Sequence, residues 1–168
     1  LFVEKFPLID LLYMSATPIP RSLQNALSGI KTISTISTPP INRLPIETVI
    51  GFFDINKISD YVTYESDRGG QIYFLHNNIR SIKKIVRLIS DSCPGILVEE
   101  IHGKMRPGDI EKKLRRFVGG EFQVLVSTTI IESGLDIPNV NTIIINNAHL
   151  FGLSQLHQIR GRVGRHSR

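Results

Sequence analysis

Hydrophobic positions recur along this chain with two different periods, one typical of amphipathic helices and the other of buried strands. The segment "NIRSIKKIVRLISDS" carries lysines and arginines opposite a stripe of apolar residues at helical spacing. Those apolar residues are Ile79, Ile82, Val86 and Ile89. The pattern predicts a helix with one buried face, and "RPGDIEKKLRRFVGG" repeats it.

Short apolar runs without helical periodicity separate these segments and predict strands. The predicted strands are Ile46–Phe53, Gln71–His76, Gly95–Gly103, Phe122–Thr128 and Asn141–Asn147. A similar run, Leu8–Thr17, precedes them, and Asp54 is positioned to cap a helix that ends near Asp67. Strands that alternate with helices indicate βαβ units, so we expect an α/β fold with a mainly parallel sheet.

A proline-rich segment, "STPPINRLP", interrupts this alternation at residues 37–45. It holds three of the nine prolines in the chain. Proline lacks the backbone donor that helices and central strands use, so we expect a linker here, with one domain on each side.

Composition narrows the function classes only slightly. The 168 residues include 20 Lys+Arg and 15 Asp+Glu, and this net charge of +5 permits binding to nucleic acid without proving it. A single cysteine excludes an internal disulfide and a cysteine-rich metal site, and the five histidines show no zinc-binding spacing. No apolar run approaches the roughly 20 residues of a membrane span.

Four polar stretches, two of which contain glycine, follow predicted strands, where ligands of parallel sheets bind. These stretches are "SATP", "LHNN", "IHGKMRP" and "STTIIESGLDIP". In "IHGKMRP", His102, Lys104 and Arg106 are suitable phosphate donors, or the stretch is an ordinary basic loop. In "STTIIESGLDIP", the hydroxyls suit a phosphate and Asp136 suits a ribose hydroxyl, or these residues are simple turn caps.

The segment "QIRGRVGR" places Arg162 and Arg165 three residues apart, each preceded by a glycine. Two guanidinium groups on one side of a tight turn can bind phosphate oxygens in bidentate fashion. The alternative is a solvated basic terminus. The chain contains neither G-x-x-x-x-G-K-[ST] nor G-x-G-x-x-G, so no complete catalytic apparatus is visible.

Five stretches together resemble the C-terminal motor segment of superfamily 2 helicases and translocases. They are "MSATPIPRSL", "QIYFLHN", "IHGKMRP", "VLVSTTIIESGLDIPN" and "FGLSQLHQIRGRVGR", in this order and spacing, and the resemblance runs from Asp10 to Arg165. Within the superfamily the chain is most similar to the transcription-repair coupling factors, and RecG is the next most similar group. "TTIIESGLDIPNVNTIII" and "GGQIYFLHN" favour the coupling-factor form.

The resemblance implies a RecA-like architecture, with a P-loop NTPase-type parallel sheet flanked by helices. Residues 1–36 would end a first lobe and contain motif III, residues 37–45 would be the linker, and residues 46–168 would form the second lobe with motifs IV to VI. The implied function is the C-terminal motor lobe of an ATP-dependent double-stranded-DNA translocase that displaces stalled RNA polymerase in transcription-coupled repair. The alternatives are a RecG-like fork-remodelling lobe and a non-catalytic nucleic-acid-binding remnant.

Roles for individual residues come from the same resemblance. Those that would couple nucleotide state to DNA grip are Ser15, Ala16 and Thr17. Those that would contact DNA are His102, Lys104, Arg106, Thr128 and Thr129. Those near the nucleotide would be Gly134 and Asp136, and the catalytic group would be Gln158, Arg162 and Arg165, with the two arginines as fingers on the γ-phosphate.

The implied cofactor is ATP with Mg²⁺, bound mainly by a first lobe whose P-loop and DExx box would lie upstream of Leu1. The chain is therefore expected to be a piece that does not hydrolyse ATP alone. Its implied partners are double-stranded DNA and, through modules absent from this sequence, RNA polymerase. No membrane partner is implied, and the expected location is the bacterial cytoplasm.

Overall fold

The computed structural model describes residues 45–128 and 139–163, together with Leu12, Met14, Ser34, Ile36 and Thr38. The chain divides into two compact units, Leu1–Ile36 and Ser37–Arg168. Most of the first unit lies outside the described residues, including all of the strand predicted at Leu8–Thr17 except Leu12 and Met14. The assignment of residues 1–36 and 46–168 to two lobes stays a prediction.

Four α-helices and one short 3₁₀-helix belong to the described part of the second unit. They are α1 (Ile55–Asp67), α2 (Ile79–Ser92), α3 (Pro107–Val118), the 3₁₀-helix Ala148–Leu150 and α4 (Leu153–Arg160). Asp54 caps α1 as the sequence predicts, because its carboxylate accepts a hydrogen bond of 3.0 Å from the Asn56 amide. Asn78 caps α2 in the same way.

The sheet has four parallel strands with the flanking helices that an α/β fold requires, which confirms the predicted fold class. Its strands are β1 (Gln71–Leu75), β2 (Val98–Ile101), β3 (Val124–Ser127) and β4 (Val140–Ile145). Their order across the sheet is β2-β3-β1-β4. The central strands β1 and β3 are buried at every position, as expected for strands covered on both faces.

Alternate residues of the central strands enter two separate cores, one on each face of the sheet. Ile72 and Phe74 of β1 pack with the apolar faces of α1 and α2. Tyr73 of β1 packs on the other face with Phe117 of α3. Cys93, which follows α2, is buried in the first core. The single sheet therefore holds its helices in two layers.

A buried carboxylate connects α1 to the edge strand β4. Glu65 is only 2% exposed, and it accepts hydrogen bonds from the Thr142 hydroxyl at 2.7 Å and the Asn141 amide at 3.3 Å. The guanidinium Nε of Arg68 lies 3.6 Å from the same carboxylate. The side chain fills the space beside Gly70, where a β-carbon would lie 1.7 Å from Glu65 Oε1.

The strand predicted at Ile46–Phe53 is wrong, because residues 46–53 have no regular secondary structure. Ile50 and Phe52 are 93% and 99% exposed. The sheet of the described residues ends at β2 and β4, so this segment has no neighbouring strand to bond its backbone amides and carbonyls. Apolar character alone does not make a strand without such a neighbour.

Candidate functional site

The carboxyl ends of the four strands lie in one row, which brings together loops that are far apart in sequence. Leu75 is in register with Ser127 and with Ile145, and Ser127 is in register with Ile101. The residues that follow the strands are therefore neighbours at one edge of the sheet. They are His76, His102, Thr128 and Asn146. This edge is where the sequence predicts the ligand site.

Backbone hydrogen bonds continue past the strand ends and fix these first loop residues. The His76 amide donates to the Ser127 carbonyl at 2.8 Å. The Asn146 amide donates to the Leu75 carbonyl at 2.9 Å, and the Thr128 amide donates to the Ile101 carbonyl at 3.4 Å. The edge is consequently an ordered platform along its length.

His76 lies at the centre of this platform and is 5% exposed. Its Nε2 is 2.7 Å from the Ser81 hydroxyl, and its Nδ1 is 3.0 Å from Asn146 Nδ2. An amide nitrogen is a donor, so Nδ1 accepts and the proton of the neutral ring is on Nε2, where it donates to Ser81. Burial lowers the pKa of His76 below its ordinary value of 6.5, which favours this neutral form.

Sequence reasoning did not select His76, Ser81 and Asn146 as a group. Each of them is an ordinary polar residue near a strand or helix end, and they are as far as 70 residues apart in the chain. The usable signal was that His76 ends one predicted strand and Asn146 is the second-to-last residue of another. Their contact depends on β1 and β4 being neighbours, which the strand order alone decides.

The loop after β2 presents two of the predicted DNA contacts to solvent. Lys104 and Arg106 are exposed, and neither side chain forms an ion pair with any residue of the described ranges. Between them, Met105 packs against the second core, and its amide donates to the His102 carbonyl at 3.0 Å. Met105 thus anchors the loop, and the cation on each side of it, Lys104 or Arg106, is exposed to solvent.

His102 and Thr128 are less accessible than these cations. His102 is half-buried, and its Nδ1 atom is enclosed without a hydrogen-bond partner among the described residues. Thr128 is 6% exposed, and the neighbouring Ser127 hydroxyl is likewise enclosed and unpartnered within the described ranges. Contact of either predicted residue with DNA stays a prediction.

Helix α4 is attached to the carboxyl edge through its apolar side. Ile159 packs in a third cluster with Phe151 and with Leu75, the last residue of β1. Gln158, which is exposed, and Arg162, which is half-buried, lie on either side of this anchor in the sequence. Val163 then enters the second core, so the backbone on both sides of Arg162 is fixed.

Several predicted residues lie outside the described residues. They are Ser15, Ala16, Thr17, Thr129, Gly134, Asp136 and Arg165. The structure brings Lys104, Arg106 and Arg162 to elements that meet the same sheet edge. The roles of all the predicted site residues stay predictions.

Two other site types are missing from the part of the chain that is described. It contains no cluster of three or more histidine, cysteine or acidic side chains suited to a metal ion. Nor does it include a helix with the length and apolar character needed to cross a membrane.

The sequence profile of the helicase conserved C-terminal domain matches residues 54–167. The transcription-repair-coupling factor of Bacillus subtilis is 46% identical over 160 residues, which cover 95% of this chain and 14% of that protein. The corresponding factor of Escherichia coli is 45% identical over 157 residues, covering 94% of this chain and 14% of that protein. The chain thus spans about one seventh of the length of these two relatives.

Solved structures give the same picture of the fold. RecG bound to a three-way DNA junction superposes with a TM-score of 0.72 at 36% identity, over 90% of this chain and 21% of that one. Domain 2 of the DEAD-box helicase Mss116p, bound to an RNA duplex, has a TM-score of 0.55 at 20% identity, over 68% of this chain and 46% of that one. At that identity, Mss116p supports the fold alone.

Proposed function

Because this chain belongs to the helicase conserved C-terminal domain family and is a superfamily 2 C-terminal lobe, we propose that it acts as half of a DNA-dependent motor. The proposed motor is an ATP-dependent double-stranded-DNA translocase that displaces stalled RNA polymerase in transcription-coupled repair. The observation that carries this proposal is the 46% identity to a transcription-repair-coupling factor across 95% of the chain. Transcribed DNA lies in the bacterial cytoplasm, which is where the proposal locates the protein.

The second candidate is a fork-remodelling lobe of the RecG type. The superposition on RecG favours it, since 90% of this chain matches a protein held on a branched DNA junction. The identity of 36% to RecG is lower than the values of 46% and 45% for the two coupling factors. We therefore rank the repair translocase first.

The donor chemistry at the carboxyl edge fits a nucleotide phosphate. Arg162 carries a planar, permanently charged guanidinium that can bind two phosphate oxygens, and its backbone is fixed by Ile159 and Val163. In our proposal Arg162 and Arg165 contact the γ-phosphate, Gln158 orients it, and Gly134 and Asp136 bind the nucleoside. ATP with Mg²⁺ would supply the phosphoryl group whose transfer drives the motor.

Arginine fingers on a second lobe make hydrolysis depend on how the two lobes approach each other. Arg162 belongs to a segment whose neighbours Ile159 and Val163 are buried, so its guanidinium moves with the lobe as a body. In our proposal Lys104 and Arg106 bind the phosphate backbone of DNA during the same cycle. Such contacts carry no base information, which suits a translocase.

A chimaera tests the proposed function directly. The matching segment of the Bacillus subtilis coupling factor is replaced by this chain, and two activities are measured: DNA-stimulated ATP hydrolysis and release of stalled RNA polymerase. We expect both activities, and we expect Arg162→Ala to abolish both. A chimaera that hydrolyses ATP on DNA, remodels forks and never releases polymerase would favour the RecG-type candidate instead.

A further inference from the structure

Helix α2 carries a row of cations on its solvent side that the predicted site does not include. The row consists of Arg80, Lys83, Lys84 and Arg87, and all four side chains are exposed. At 3.6 residues per turn they fall within about 100° of the helix circumference. We call them the α2 stripe, and the buried face of the same helix is turned towards the first core.

None of the four cations forms an ion pair or side-chain hydrogen bond with another residue in the described ranges. Helix α3, on the other face of the sheet, is different. Its Arg116 binds Glu99 and Glu121, and its Arg115 binds Glu111 at 2.6 Å. The structure therefore pairs Arg115 and Arg116 of α3 with carboxylates, and it forms no ion pair to the four α2 cations within the described ranges, although Asp91 lies four residues after Arg87.

Helix stability does not explain the α2 stripe either. Helix α3 has an acid, Asp109, in its first turn and its arginines in the last, an order that favours the helix dipole. Helix α2 has no acid in its first turn, where Arg80 lies, and no base in its last turn. Its like charges at spacings of three and four residues also repel one another. The arrangement costs the isolated helix stability, so an external anion is the better explanation.

The position and length of the stripe fit one strand of a nucleic acid. Helix α2 begins just past the carboxyl end of β1, so Arg80 is next to the sheet edge and Arg87 is farther from it. Seven residues at 1.5 Å each extend the stripe over about 10 Å. With α2 parallel to the duplex axis, one DNA strand presents a phosphate about every 3.4 Å, so about three phosphates fall within that length.

We propose that the α2 stripe is a second binding surface for the phosphate backbone of duplex DNA, separate from the loop that carries Lys104 and Arg106. This inference rests on the proposed double-stranded-DNA role of the lobe. It adds a binding surface on the outer face of a helix to the one at the carboxyl edge. An acidic protein surface is the competing occupant, and binding to duplex DNA and to polyglutamate separates the two.

The test compares two double variants of the 168-residue chain that differ from it by the same charge. Lys83→Gln/Lys84→Gln alters the α2 stripe, and Lys112→Gln/Arg115→Gln alters exposed positions of α3. Each removes two positive charges from a net charge of +5. Binding to a DNA duplex of about 20 base pairs is measured by fluorescence anisotropy over a range of salt concentrations. Circular dichroism checks the fold, and glutamine preserves helix propensity.

We expect the α2 variant to bind more weakly, with a slope of log affinity against log salt that is lower by about 0.9 for each phosphate no longer neutralised. The α3 variant should keep the wild-type slope, and Lys83→Arg/Lys84→Arg should keep wild-type binding.

Four results would contradict these expectations. An α2 variant that binds as wild type, or an equal reduction in both variants, overturns this inference and leaves the proposed function unaffected. Reduced binding to polyglutamate with unchanged duplex binding also overturns it, in favour of an acidic protein partner. A wild-type chain that does not bind the duplex contradicts the proposed function, and this inference with it.

Discussion

The carboxylate of Glu65 in α1 accepts a hydrogen bond of 2.7 Å from the Thr142 hydroxyl in β4, although 77 residues separate the two. A buried carboxylate is tolerated only where donors replace its water shell. Thr142 and Asn141 on the strand, with Arg68 directly after the helix, supply those donors. The hydrogen bond connects α1 to the edge of the sheet that lies beside β1.

Gly70→Ala should destabilise the protein, because the new β-carbon would lie 1.7 Å from Glu65 Oε1. Relieving that clash displaces the carboxylate from its donors, and we expect a decrease of about 1–3 kcal/mol in the free energy of unfolding. Urea denaturation measures it. Gly51→Ala is the matched control, since its β-carbon meets nothing within 4 Å. Equal stability of the two variants would contradict the geometry around Glu65.

The stability of the fold should depend on His76 in mildly acidic solution. Burial lowers the pKa of His76 in the folded protein below its ordinary value of 6.5, so the unfolded chain binds a proton at higher pH than the folded one does. The contribution of His76 is therefore full above pH 6.5 and decreases as the pH falls below that value. The urea concentration at which half of the wild-type protein is unfolded should therefore decrease as the pH falls below 6.5.

His76→Gln removes the titrating group and should flatten this part of the pH profile. His149→Gln is the control, because it removes an exposed histidine from the 3₁₀-helix. A His76→Gln profile with the wild-type pH dependence would show that another group causes it.

Arg162→Lys and Arg165→Lys should each reduce ATP hydrolysis in a protein that contains both lobes, such as the Bacillus subtilis chimaera. Lysine keeps the charge but cannot reproduce the bidentate geometry. An arginine finger contributes about 10³–10⁵ to turnover, so the reduction should be large while DNA binding is retained. Arg160→Lys is the control, since Arg160 is exposed and is not one of the two matched finger positions. Normal turnover in either finger variant would refute that residue's assignment.

Lys104→Ala should weaken binding of this chain to duplex DNA by a similar factor for every sequence tested. Removal of one phosphate-binding cation should also lower the salt slope by about 0.9. Anisotropy titrations with several duplexes measure both quantities. Lys57→Ala removes an exposed cation from α1 and should change neither. Weaker binding confined to particular sequences would indicate that Lys104 binds a base.

Local signals in the sequence were sufficient for most of the elements. Asp54 marks the start of α1 because its short carboxylate reaches a backbone amide two residues ahead. The continuous apolar runs of β1 and β3 indicate strands buried on both faces, and the structure buries them so. These features depend on neighbours in the chain, which a sequence displays directly.

Features that depend on strand order were not predictable in the same way. The hydrogen bond between His76 and Asn146 requires β1 and β4 to be adjacent, and many strand orders share one helix and strand pattern. The failed strand at Ile46–Phe53 has the same origin, since pairing needs a neighbour that composition does not specify. Arg162 was selected by its motif, while its anchoring through Val163 became visible only in the structure.

Labelling of the buried Cys93 thiol can report local opening of the folded chain. It is the only thiol in the chain, it is 3% exposed, and its burial raises its pKa. A thiol reagent therefore reacts with the folded chain only when the segment around Cys93, at the C-terminal end of α2, opens, and every labelled molecule marks such an event. The labelling rate with and without DNA would show whether a ligand on the outer side of α2 slows opening at its C-terminal end.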